Sequence, residues 1–540
     1  MIFQTTDIPR MLPELMLLVL ALLVLGSDVL ERWGSEPAAI RERALASANL
    51  AATGLAMVLV IALVQSRLLF TVPEPIGNPV VDVLINIGRN LQLGGAAGPP
   101  ILSAFAVDGM THIGRLLLIG SALLAVLLTR DRPPLAQPGE FYSLILFAVL
   151  GMCLMAGAVE FILMFLALEL SSLALYVLAG YTREHRASSE AGLKYFLFGV
   201  TSSAVLLYGI ALTYGFVVSQ ARPGDLVIST LFSKVAAAVS VASVESRPLL
   251  ILAMLLVIGG VSYKIAAVPF HSWAPDVYQG APGPVVALLA SASKVAGFLL
   301  LYRLLGTAFP GAAGTPSVAA FEGWTAILSV IALLTLLVGN LGALPQRNAR
   351  RMLAYSSIGH AGFLLLGMLL QLPNASGQQF GTASFLYYLG TYALTSIVVF
   401  GALDAAARIT GGDDIDDLRG LWQRSPLLTI VLTLALASLA GLPPLAGFWA
   451  KFFVFVGAWQ AGAGWAVAVA LALTVVALGY YARILRTMWM TDPAADAAPI
   501  ATLPTQRAAL IVAAALVLAL GLFPNLVWGA LEGAVLVAER

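Results

Sequence analysis

Charge is what this chain lacks. Only 11% of its 540 residues are Asp, Glu, Lys or Arg, 60% are hydrophobic, and the mean hydropathy is +0.93. A soluble domain carries roughly 25% charged residues, so there is too little polar surface here to coat a globule in water. The composition reads as an integral membrane protein. Twenty-nine basic residues against 28 acidic ones leave a net charge of +1, without the basic face that nucleic acid requires as a partner. Cysteine is nearly absent. Cys153 alone excludes a disulfide framework, an iron–sulfur cluster and a thiolate zinc site, each of which needs several sulfurs. The four histidines, His112, His185, His271 and His360, lie far apart, and no spacing among them suggests haem or another metal. No Gly-x-Gly-x-x-Gly follows a strand and no Walker A motif occurs, so the chain shows no cofactor-binding signature of its own.

What is present is a ladder of apolar runs. A spanning helix needs about 20 mainly apolar residues, and such runs recur from Leu12 to Leu536. They predict an all-α integral membrane protein with about 14 transmembrane helices. The expected spans are 12–30, 44–66, 110–129, 141–159, 160–180, 190–219, 248–268, 281–305, 322–344, 349–371, 381–408, a long broken one over 426–460, 464–490 and 507–536. The first is preceded only by Arg10 and followed by no small-residue cleavage site, so it reads as a retained helix. Loop cations, among them Arg41, Arg43, Arg130, Arg132, Arg183, Arg186, Arg347, Arg350 and Arg351, concentrate on the side opposite the N-terminus. The positive-inside rule then predicts both termini outside the cytoplasm. The acidic run Asp413, Asp414, Asp416 and Asp417 reads as a solvated loop.

Lysine is used sparingly and in unusual places. There are 24 arginines but five lysines, and Lys194, Lys264, Lys294 and Lys451 fall inside or at the margin of apolar spans. A lysine at membrane depth is costly unless paired or neutralised. It can also load and unload a proton there, which arginine cannot. Four such lysines on four spans suggest a proton relay; the competing reading is that each snorkels to the interface or holds a structural ion pair. Glu169 sits mid-span without a charged neighbour on its own helix, so a buried lysine on another helix is its expected partner. Glu160 reads as interfacial. Lys194 follows Glu190 by four residues, which also allows an intrahelical pair.

Two spans contain helix breakers beside ionisable residues. Pro269 separates Lys264 from His271, and Pro443 and Pro444 precede Lys451. Proline removes a ladder hydrogen bond, and irregular backbone at membrane depth survives only where it is buried in protein or lines water. The breaks fall in the seventh and twelfth spans. Five spans is an odd number, so the two units are expected to be inverted five-helix repeats with discontinuous helices 7 and 12. The expected segments are 1–130 (helices 1–3), 131–305 (first repeat), 306–490 (second repeat) and 491–540 (helix 14). Asp404, in the eleventh span, carries no assigned role.

Three blocks carry a family resemblance: 264–298 (KIAAVPFHSWAPDVYQGAPGPVVALLASASKVAGF), 350–367 (RRMLAYSSIGHAGFLLLG) and 436–455 (LASLAGLPPLAGFWAKFFVF). They resemble the antiporter-like subunits of respiratory complex I, the proton-pumping NADH:quinone oxidoreductase, and among these subunit N; PDVYQGAP at 275–282 is the most discriminating stretch. The resemblance implies proton translocation coupled to quinone reduction in partner subunits. It also implies that Glu169 pairs with Lys264, and that the path continues through Lys294 to Lys451, with Lys194 and His271 also at implicated positions. FMN, iron–sulfur clusters and quinone are expected in partners rather than in this chain, which would act as one subunit of the enzyme without redox chemistry of its own. Expected partners are further antiporter-like and other membrane subunits, with lipid around them, in a bacterial inner (plasma) membrane. The alternative is a subunit of an Mrp-type Na+/H+ antiporter.

Overall fold

The computed structural model describes residues 7–32, 40–70, 101–132, 137–221, 230–314, 323–371, 375–493 and 499–538. Residues 1–6 and 539–540, the termini whose side of the membrane the loop charges predict, lie outside them, as does residue 322 at the start of the ninth expected span. Among the described residues the chain is helical, with isolated β-bridges and no strand. The first seven helices are α1 (Leu12–Arg32), α2 (Ile40–Phe70), α3 (Gly109–Thr129), α4 (Pro138–Gly157), α5 (Phe161–Ala179), α6 (Arg186–Gln220) and α7 (Arg247–Ile265). A short helix α8 (Trp273–Gly280) leads into α9 (Gly283–Ala308), then α10 (Gly323–Ala343), α11 (Ala349–Met368) and α12 (Ala375–Thr410). The chain closes with α13 (Pro426–Ala440), α14 (Ala446–Gln460), α15 (Gly464–Met490), α16 (Pro504–Leu522) and α17 (Asn525–Ala538).

Twelve of these are long and apolar enough to cross a membrane. Two expected spans are not among the twelve but do coincide with helices. One is α11, whose Tyr-Ser-Ser-Ile-Gly-His stretch dilutes its apolar character; the other is the α13–α14 pair, each half 15 residues long. The final span differs from expectation. Rather than running unbroken over 507–536, helix α16 stops at Leu522 and α17 restarts at Asn525, across Pro524, which lacks the N–H needed to continue the ladder. The expected segment limits fall at the end of α3, three residues inside the end of α9, and at the end of α15.

Burial sorts the helices. Peripheral ones show apolar side chains outward, such as Leu22, Met57 and Val475, as lipid contact requires. In contrast, the apolar window of α9 is 100% buried and that of α12 is 89% buried, so these two form the centre. α12 packs against α3, α11, α13, α14 and α16. Small residues set the closest approaches: a Cβ on Gly339 of α10 would lie 2.2 Å from the Gly359 nitrogen of α11.

Both expected breaks are present. α7 ends with Ala266 in the left-handed region (φ 56°), and the Ala267 N–H donates back to Ser262 O. α13 ends with Gly441 left-handed (φ 85°), and Leu442 N–H donates to Ala437 O. The two ends share one Schellman-type geometry. A third irregularity has no proline: five residues of π-helix, Leu289–Ser293, interrupt α9 immediately before Lys294.

Candidate functional site: a line of buried lysines

The site is built where the irregular helices meet. On α5, Glu160 caps the helix by accepting from the Ile162 and Leu163 N–H groups, as an interfacial residue would. Nine residues on, Glu169 is half-buried, on a stripe of α5 shared with exposed Leu166 and Leu173, and accepts a hydrogen bond from the Ser203 hydroxyl of α6. Lys264, in the last turn of α7, is 1% exposed and donates to Ser172 Oγ of α5 at 3.0 Å. Glu169 and Lys264 form no direct ion pair among the described residues, but Glu169 is the charged group whose field reaches Lys264. The pairing expected from the resemblance is therefore neighbourly rather than direct, with Ser172 and Ser203 taking the hydrogen bonds. Gly297 of α9 makes room for the lysine, since a Cβ there would sit 3.2 Å from Lys264 Cγ.

Lys294 follows the π-helix on fully buried α9. Its ammonium donates to Ser357 O of α11 at 2.6 Å and stands 5.7 Å from the centre of the Tyr392 ring. Lys451 of α14 turns back on the second break and donates to Leu439 O and Ala440 O, at 2.9 and 3.2 Å. Those are the terminal carbonyls of α13, which no later N–H can satisfy once Gly441 ends the helix, and they carry the negative end of its dipole. The ammonium also lies 5.0 Å from the Phe363 ring centre. Hence three lysines lie inside the protein, each held by neutral acceptors, with no carboxylate in ion-pair distance among the described residues.

Between the second and third of these lies a residue that sequence reasoning left unused. His360 of α11 is 5% exposed, with Nδ1 2.9 Å from the Tyr388 hydroxyl and Nε2 3.2 Å from the Tyr481 hydroxyl, and both Lys294 and Lys451 act on it electrostatically. A cavity of about 10 Å³, close to the room one water needs, touches His360, Tyr392, Ser438 and Gly447 beside the Lys451 break. The signal was available: His360 lies within the second quoted block, on a helix unusually polar for its apolar neighbours.

The remaining two residues lie at the margin. Lys194 is 36% exposed and pairs with Glu190 at 2.7 Å, as its spacing allows, and with Asp276 of α8 at 2.6 Å. Asp276 also binds Arg351 of α11, and its carboxyl, which burial would raise, is held below its ordinary value by Lys194 and Arg351. His271 is half-buried, with Nδ1 3.3 Å from Pro269 O, and the break directs it away from the buried lysines' hydrogen bonds. Pro269, Pro443 and Pro444 sit in the two breaks as expected, and Asp404 is placed by the fold: it bridges Arg132 and Arg350.

Comparison with known proteins gives the family. The family described as NADH:quinone oxidoreductase/Mrp antiporter, TM, matches residues 158–477. "NADH-quinone oxidoreductase subunit N 1" of Roseiflexus castenholzii is 58% identical over 543 residues, covering 100% of both chains. "NADH-quinone oxidoreductase subunit N 2" of Herpetosiphon aurantiacus is 42% identical, covering 98% of each. A chain of respiratory complex I from Thermus thermophilus with bound aureothin superposes with TM-score 0.70 at 32% identity, over 96% of this chain and 99% of that one. A chain of the Mrp complex from Dietzia shares the fold, with TM-score 0.75 at 20% identity, over 98% of this chain and 97% of that one. The chain belongs to the NADH:quinone oxidoreductase/Mrp antiporter transmembrane family, among its NADH-quinone oxidoreductase subunit N members.

Proposed function

We propose that this chain is a proton-translocating membrane subunit of an NADH:quinone oxidoreductase, passing protons along Glu169, Lys264, Lys294, His360 and Lys451. The observation that carries the reading is the set of three buried lysines held only by neutral acceptors. A buried lysine in such a setting can cycle between its charged and neutral forms as a nearby charge comes and goes, whereas a guanidinium stays charged. Glu169, close to Lys264 but hydrogen-bonded to Ser203, is placed to supply that changing charge. Moving one charge across 100 mV takes about 2.3 kcal/mol, which a change of about two pKa units at one site would match. Lys194, with Asp276, and His271 are the peripheral members, where the line meets water.

On this reading quinone reduction, with its FMN and iron–sulfur clusters, belongs to partner subunits, and this chain contacts other membrane subunits including further antiporter-like ones. The two breaks belong to inverted halves, and the chain lies in a bacterial inner membrane with both termini on the periplasmic side. The test is proton pumping by the assembled complex in vesicles, with Glu169→Gln, Lys264→Ala and Lys451→Ala compared with wild type at matched assembly. Quinone-linked turnover and pumping are expected to fall together. Unchanged pumping in all three would overturn the relay.

A further inference from the structure

Away from the lysine line, the two arginines just beyond the end of α3 and the start of α4 enclose a cavity of about 80 Å³. Its wall includes Ala44 of α2, Arg130 and Arg132 beyond the end of α3, Phe141 and Tyr142 of α4, and Thr182. Hydrogen-bond donors outnumber acceptors along it. Arg130 gives its Nε to Asn49 Oδ1 and is 3.6 Å from Asp131; Arg132 gives its Nε to Leu128 O and its Nη2 to Asp404. No acceptor among the described residues takes Arg132 Nη1 or the Thr182 hydroxyl. Tyr142, 3% exposed, adds its hydroxyl beside Thr129, whose own proton goes to Val126 O.

Positive charge is crowded here. Arg130, Arg132, Arg350 and Arg408 gather against the carboxylates of Asp131, Asp404 and Asp413. Burial above all, with the fields of Arg408 and Arg350, lowers the Arg132 guanidinium to about 9, although it is paired with Asp404. The surroundings say which anion. The cavity lies level with the ends of the spans, and next to Ala44 helix α2 turns Leu45 (42% exposed) and Leu50 (36% exposed) outward. Paired guanidiniums with hydroxyls suit a phosphate, and an apolar helix face beside them suits acyl chains.

We propose that this cavity binds the phosphate of an anionic phospholipid, whose acyl chains lie along the outward face of α2. The inference does not depend on the proton relay.

The experiment reconstitutes the assembled complex in phosphatidylcholine vesicles containing photoactivatable phosphatidylglycerol and maps the labelled peptides. Labelling is expected around Ala44 and Arg130. It should fall about tenfold in Arg130→Gln, as loss of a charge-assisted contact implies. Ala44→Phe, which fills the cavity without touching charge, should lower it comparably. Equal labelling in wild type and both variants would overturn the proposal, as would equal labelling by a photoactivatable phosphatidylcholine. Loss of labelling on adding inorganic phosphate would reassign the cavity to a free anion and overturn the lipid as its occupant.

Discussion

The two broken helices end alike and use their lysines differently. At each, the helix closes with a left-handed residue and an N–H reaching back five positions, Ala267 to Ser262 and Leu442 to Ala437. At the first break the lysine precedes the turn, so Lys264 belongs to the helix that stops and must look sideways to Ser172 on α5, with Glu169 nearby. At the second it follows the turn, so Lys451 belongs to the helix that restarts and looks back at the carbonyls of the helix that stopped. One lysine lies within the field of a carboxylate on another helix; the other is held by the dipoles of helix-end carbonyls. On the proposed relay, the first break would be the driven one and the second the one that holds and releases a proton.

Replacing the lysines should give the largest effects and separate the two roles. Lys264→Met and Lys451→Met should each lower proton-coupled quinone turnover by more than about tenfold, read in vesicles at equal assembly. Only Lys451→Met should also destabilise the chain. It strands two buried carbonyls, at about 1–3 kcal/mol each, whereas Lys264→Met takes the donor from a single hydroxyl oxygen, Ser172 Oγ, whose own O–H remains free to donate. Equal loss of thermal stability in both variants would erase the distinction.

Next in size is Gly297→Ala, which tests whether Lys264 needs its position as well as its charge. The added Cβ would meet Ile265 Cγ2 at 2.8 Å and Lys264 Cγ at 3.2 Å, an overpacking of about 1–3 kcal/mol. Turnover should fall several-fold while Lys264 itself is intact. Smaller still is an exchange of the two left-handed residues. Gly441→Ala should cost about 1–2 kcal/mol for the Cβ in that region, while Ala266→Gly should be neutral or stabilising by up to about 1 kcal/mol. Thermal denaturation of the assembled complex reads both, and the same sign for both would mean the breaks are not equivalent turns.

Much of this was legible in the sequence because it rests on local chemistry. Apolar length gave all the spans but the last, which is broken, proline gave both breaks, and the scarcity of lysine singled out four residues of which the fold buries three, Lys264, Lys294 and Lys451. The rest depended on tertiary packing. The π-helix before Lys294 lies in Leu-Ala-Ser-Ala-Ser, which has no breaker, so only the fit of α9 among its neighbours produces it. His360 looked like a lone histidine until α12 and α15 brought Tyr388 and Tyr481 to its two nitrogens. Asp404 found Arg132 across 272 positions of chain, and Glu169 found Ser203 before Lys264. Each of these partners is set by helix packing, for which single-span patterns carry no information.

His271 gives the smallest expected effect and the finest test of how the first break works. A continuous helix would have set it on the face of Lys264, seven residues earlier, but the chain leaves helical geometry at Ala266, and the ring ends half-buried with only Pro269 O within hydrogen-bond distance among the described residues. A proton reaching this edge of the line can be passed by water as well as by imidazole, so His271→Ala should lower turnover by about twofold, under 1 kcal/mol of barrier. The loss should be recovered in part by added imidazole, a readout that a purely structural histidine would not give. A loss as deep as that of Lys264→Met would mean that the ring swings inward across the break during turnover, making the first break a moving gate and widening its contrast with the dipole-held second one.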